Sequence, residues 1–157
     1  MSADRQHRWA FIPGLFLGPT GGGEAFVQVL DGSTNRSWFH PFPLSGFRAE
    51  EERFEVQVGP NHFGSNGLVL DLPDGSVRGR LGFNGGRGLT GWPVTRTSPG
   101  IMGPFGLVPF MECSHGLVSF SHELNGTLEL DGKPVSFDGG LGYIEKDWGA
   151  AFPSAYV

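Results

Sequence analysis

The chain has a single cysteine, Cys113, in 157 residues, which excludes an internal disulfide and argues against a cysteine-based metal site. Charge is sparse at 17%, and the eleven Lys and Arg are scattered under a net charge of −5. A nucleic-acid surface needs clustered positive charge, so nucleic acid is not an expected partner. No run approaches the length of apolar residues that spans a bilayer, so no transmembrane segment is expected. The first residues, Met1 to Trp9, are polar and carry no apolar signal core, which points to a cytoplasmic protein. Without a secretory signal, the sequons Asn35-Arg-Ser37 and Asn125-Gly-Thr127 are chance matches. The five histidines, His7, His40, His62, His115 and His122, have no close ligand spacing, so metal is expected to be none. Phosphate-loop and nucleophile-elbow patterns are missing too. No window carries a helical apolar stripe free of Gly and Pro.

What the chain has is turns and aromatics. Gly is 27, Pro 12 and Phe 14, with hydrophobics at 38%. Gly and Pro break helices and supply turns, while aromatics favour pleated, half-buried surfaces. Four Asx-Gly pairs follow or separate alternating segments: Asp31-Gly32, Asn66-Gly67, Asp74-Gly75 and Asp131-Gly132. Asx-Gly suits the turns whose twist matches paired strands, so an antiparallel meander is predicted. Around Asp74-Gly75 the apolar positions are Leu68, Leu70 and Leu72 before the turn, then Val77, Leu81 and Phe83 after it. The triplet Glu50-Glu51-Glu52 reads as a solvated loop. The fold class expected is all-β, an antiparallel barrel of lipocalin type spanning residues 1–157. Residues 84–106 break the strand pattern. They are rich in Gly and Pro yet hold Trp92, Ile101, Met102 and Phe105, which suggests a segment folded over a barrel mouth. The ending Phe152-Pro-Ser-Ala-Tyr-Val157 is apolar and strand-like, so the natural sequence is expected to continue.

Two stretches carry possible chemistry. In Tyr143-Ile-Glu-Lys-Asp-Trp-Gly149, strand alternation puts Glu145 and Asp147 on one face, about 7 Å apart, with Lys146 and Trp148 on the other. Inside an apolar barrel one such carboxyl would stay protonated near neutral pH and serve as a general acid. The alternative is a solvent-facing strand end. In Val108-Pro-Phe-Met-Glu112-Cys-Ser-His115, Glu112 interrupts an apolar run, and His115 three residues on is its expected partner. The alternative there is an exposed turn. Cys113 reads as a small core residue.

Taken together, Ala10-Phe-Ile-Pro-Gly14, Phe26-Val-Gln-Val-Leu-Asp-Gly32, Ser98-Pro-Gly-Ile-Met-Gly103, Val108-Pro-Phe-Met-Glu-Cys113, His115-Gly-Leu-Val-Ser119 and Asp138-Gly-Gly-Leu-Gly-Tyr-Ile-Glu-Lys-Asp-Trp-Gly149 with Phe152-Pro153 resemble the bacterial tocopherol-cyclase-like family. They occur in the family's order from about residue 9 onward. The resemblance implies two lipocalin-like barrels, related to those of carotenoid hydratases, of which this chain is the N-terminal half. It implies proton-initiated closure of a chromanol ring on a prenylated quinol, or hydration of another isoprenoid alkene, with no cofactor. Glu145 or Asp147 would supply the proton, Trp148 or Trp92 an aromatic face for the developing cation, and Lys146 would hold a carboxylate or orient the quinol. Met102, Glu112 and His115 complete the expected binding residues.

Two departures stand out. Family members usually begin with a further segment resembling Tyr-Phe-Glu-Gly-Trp-Tyr, and they continue into a second barrel. The plant cyclases carry Asn at the position matching Asp147, which makes Glu145 the expected acid. The alternatives are a non-catalytic carrier of a hydrophobic quinone or lipid, and a fragment inactive alone. The expected partner is a small hydrophobic ligand. Transient membrane contact and pairing of an open strand edge with another chain are further expectations.

Overall fold

The structure is a computed structural model that describes residues 1–84, 94–95 and 97–150. Among the described residues strand makes up 60%, and no helix reaches seven residues. The all-β expectation therefore holds. The chain divides into two compact units, residues 1–84 with 123–141, and residues 85–122 with 142–157.

The first unit begins with a meander of β1 (Trp9–Leu17), β2 (Gly23–Asp31) and β3 (Arg36–Pro43). These three strands form one sheet in the order β1-β2-β3. A 3-10 turn at Leu44–Gly46 leads into β4 (Phe47–Ala49), β5 (Glu55–Val58), β6 (Asn61–Gly64), β7 (Gly67–Asp71) and β8 (Val77–Asn84). The C-terminal part of β11 (Cys113–Leu130) pairs antiparallel with β8 and with β12 (Lys133–Ser136). The second sheet thus runs β12-β11-β8-β7-β6-β5-β4, and among the described residues its path is open.

The four Asx-Gly pairs picked out between alternating segments each sit at a strand junction. Asp31-Gly32 joins β2 to β3, Asn66-Gly67 joins β6 to β7, Asp74-Gly75 joins β7 to β8, and Asp131-Gly132 joins β11 to β12. At the last, Asp131 and Gly132 both have positive φ, 49° and 75°, the backbone that a tight twisted hairpin requires. Prolines obey the complementary rule. Pro13 lies in β1, Pro41 and Pro43 in β3, and Pro134 in β12, all strands at the ends of their sheet paths. A missing N–H is tolerated at an edge and blunts that edge against further pairing.

The alternation of β2 buries Ala25, Val27 and Val29, which share one apolar cluster with Val58, Leu70, Leu72, Val77, Leu81, Leu128 and Phe137. Each such side chain contributes about 1.5–3 kcal/mol on burial, which makes this cluster the main source of stability in the first unit. Trp9, Phe11 and Trp38 pack on its border, Trp9 against Trp38 at 5.8 Å. The anticipated Leu68–Leu72 and Val77–Phe83 hairpin is the centre of this cluster.

The second unit holds β9 (Val94–Thr95) paired with β10 (Ser98–Pro99), a 3-10 turn at Gly103–Leu107, and the N-terminal part of β11 paired with β13 (Gly140–Gly149). The stretch expected to be a loop over residues 84–106 is thus partly regular. Trp92 and the rest of 85–93, with residue 96, lie outside the described residues, as do residues 151–157.

Candidate functional site

The site is built on two strands. In the second unit, β11 and β13 run antiparallel, as their contacts show. Gly149 backs onto the Glu112 carbonyl and Cys113, Asp147 meets His115, and Gly142 meets His122. Because side chains alternate along β13, Tyr143, Glu145 and Asp147 share one face, and Lys146 and Trp148 the other.

On the first face, His115 stands between the two carboxylates. Its Nδ1 is hydrogen-bonded to Asp147 Oδ1, and its Nε2 lies 3.5 Å from Glu145 Oε2. Tyr143 donates its phenol O–H to the same Glu145 oxygen at 2.8 Å. The His115 backbone N–H points at the Met102 thioether, 3.0 Å away, which fixes the start of β11 against the preceding segment. The hydrogen bond to Glu145 holds the Tyr143 phenol above the usual tyrosine range, with burial and the charges of Glu145 and Asp147 adding to it. An imidazole can donate to both neighbours only when both ring nitrogens carry hydrogen.

On the second face, the Lys146 ammonium sits 4.9 Å from the Trp148 ring centroid, a cation–π contact. Gly116 lies beneath both side chains. Lys146 is therefore engaged with Trp148, and both are on the side of the strand opposite Glu145 and Asp147.

A third group lies further along β11. Ser119 and His122 are both buried, with the Ser119 hydroxyl 2.9 Å from His122 Nδ1. Burial lowers the affinity of His122 for a proton. Its ring takes the space that a side chain at residue 142 would fill, which explains why a glycine stands there.

No protein-family model, curated protein or solved structure matches the chain. The reading of the site therefore rests on its own residues.

Of the expected site residues, Glu145, Asp147 and His115 come together, and Met102 touches the His115 backbone. Glu112 is exposed and takes no part; the partner expected for it, His115, faces β13 instead, because cross-strand neighbours are nearer than a residue three along an extended strand. Cys113 is half-buried. The burial expected for the acid is absent here: the Glu145 side chain is 46% exposed and that of Asp147 38%. Tyr143 was the residue not singled out, although its place two before Glu145 puts it on the same face. Ser119 and His122 gave no signal, since their pairing depends on how β11 is buried.

Proposed function

We propose that this chain is a tocopherol-cyclase-like acid catalyst acting on a prenylated quinol or another isoprenoid alkene. The observation that carries the reading is the placement of His115 between Glu145 and Asp147, with Tyr143 on Glu145. The proposed reaction moves one proton in a closed cycle. The cluster's proton adds to the less substituted alkene carbon, leaving a tertiary cation. The quinol oxygen attacks that cation to form the C–O bond, and its own proton returns to the cluster. In hydration, water attacks in place of the phenol. Protonating an alkene needs an acid kept from water, so the reading includes a closed lipocalin-like barrel and a second barrel completing the pocket. Within that reading Trp148, on the far face and under Lys146, serves the fold of the strand pair rather than the cation.

Incubation with a prenylated hydroquinone in D2O tests this. The expected chromanol carries one deuterium on the carbon next to the new C–O centre, and Glu145→Gln or Asp147→Asn lowers its formation by at least about 10²-fold. Chromanol formed at an undiminished rate by both variants would remove the cluster from the acid role.

A carrier of a hydrophobic quinone or lipid is the second reading, favoured by the exposure of both carboxylates. It predicts saturable prenylquinone binding with no product on prolonged incubation. A fragment inactive alone predicts neither binding nor product.

A further inference from the structure

We infer that the tip of the β1–β2 hairpin is a docking element for an uncharged lipid surface. Leu15, Phe16 and Leu17 close β1, and all three are exposed, at 38%, 62% and 63%. Successive strand residues point to opposite sides, so the hairpin is apolar on both faces at its end. A folded protein partner offers one surface and would cover Phe16 or its neighbours. A fluid apolar phase surrounds the tip and covers all three.

Charge agrees with that occupant. No charged residue lies between Arg8 and Glu24, and no Lys or Arg between Arg8 and Arg36. Glu24, paired across from Phe16, is the nearest acidic group and limits entry to the interfacial depth of the last residues. Part of the tip's backbone bonds within the turn, which lowers its cost in a low-dielectric medium. The Gly18 N–H donates to the Gly22 carbonyl at 2.6 Å, the Gly21 N–H donates to the Gly18 carbonyl at 3.1 Å, and Pro19 has no N–H. Those groups carry no desolvation cost on entry. Gly21, at φ 85°, lets the turn close without a side chain. Leu44, next to Pro43 which pairs with Glu24, is exposed as well. With no basic residue near the tip in sequence, attachment comes from burial of apolar area rather than from anionic headgroups. This docking stands independently of the acid chemistry proposed above.

The test is flotation of the intact chain with phosphatidylcholine vesicles. The wild-type chain is expected to float with them, equally at low and high salt, and less with vesicles enriched in phosphatidylserine. The triple variant Leu15→Ser, Phe16→Ser, Leu17→Ser is expected to lose at least about tenfold in partitioning, while its thermal unfolding matches wild type. A second variant, Ile12→Ser with Phe39→Ser, alters the flat outer face behind the tip and is expected to keep most of the binding. A spin label on Phe16→Cys in a Cys113→Ser background is expected to report a depth within the headgroup–acyl boundary. Failure of the wild-type chain to float would overturn the inference. So would equal flotation of the triple variant, or a concentration-dependent dimer that the triple variant abolishes.

Discussion

His115 and Asp147 stand 32 residues apart in the sequence and meet ring nitrogen to carboxylate across two antiparallel strands. Glu145 approaches the other ring nitrogen, so the histidine is held from both sides. The proposed acid chemistry has these three groups share one proton and act as a unit. In the proposed reaction, Glu145→Gln, Asp147→Asn and His115→Gln each lower chromanol formation by about 10²–10⁴-fold. The Glu145→Gln/Asp147→Asn double variant is expected to be no worse than the weaker single variant. Multiplying losses in single-turnover kinetics would show that the residues act separately.

Tyr143 reports on the same cluster without any substrate. Its hydrogen bond to Glu145 favours the neutral phenol, so its ionisation comes at a pH above the usual value near 10. The chain has two tyrosines, Tyr143 and Tyr156, so absorbance near 295 nm in a Tyr156→Phe background isolates the first. In Glu145→Gln the titration is expected to move down toward the ordinary range. A curve that stays in place would mean that Glu145 is not the cause.

Gly142 and His122 form a pair in which only one can have bulk. A methyl group at residue 142 would occupy the space of the His122 ring. Gly142→Ala is therefore expected to destabilise the protein by about 1–3 kcal/mol in denaturant unfolding. Adding His122→Ala frees that space, so the double variant loses less than the sum of the two singles. Strict additivity would exclude the clash.

His122 also sets a pH dependence. Burial lowers its folded pKa below the ordinary 6.5. The folded state then binds fewer protons than the unfolded state once pH drops below about 6.5. The contribution is fully present above that pH and is lost as acidity increases toward the folded pKa. The His122 imidazole resonance should titrate below 6.5 by NMR, and His122→Gln should flatten the stability profile on the acid side of pH 6.5. A midpoint at or above 6.5 would contradict the assignment.

Deep core positions follow the same bookkeeping of volume. Leu70, almost wholly buried between the two sheets of the first unit, is expected to cost about 2–5 kcal/mol as Leu70→Ala. Exposed Phe110→Ser should stay within about 0.5 kcal/mol. Comparable losses for both in urea unfolding would mean that the core lies elsewhere.

The local rules of the sequence determined much of this protein. The four Asx-Gly pairs between alternating segments fell at strand junctions, and at Asp131-Gly132 both residues take the left-handed backbone, a local property that needs no tertiary context. Period-two alternation likewise separated Glu145 and Asp147 from Lys146 and Trp148 before any partner was known. Tertiary structure decided the rest. Which strand lies beside β13 determines that His115 meets Glu145 and Asp147 rather than Glu112, and no spacing along the chain encodes that choice. The exposure of Glu145 and Asp147 depends on what covers the strand, not on the strand itself. Gly142 looks like one glycine among many until β11 brings the His122 ring against it. Local turns and faces follow from backbone sterics within a few residues. Proton sharing and burial follow from contacts between segments far apart, which only folding brings together.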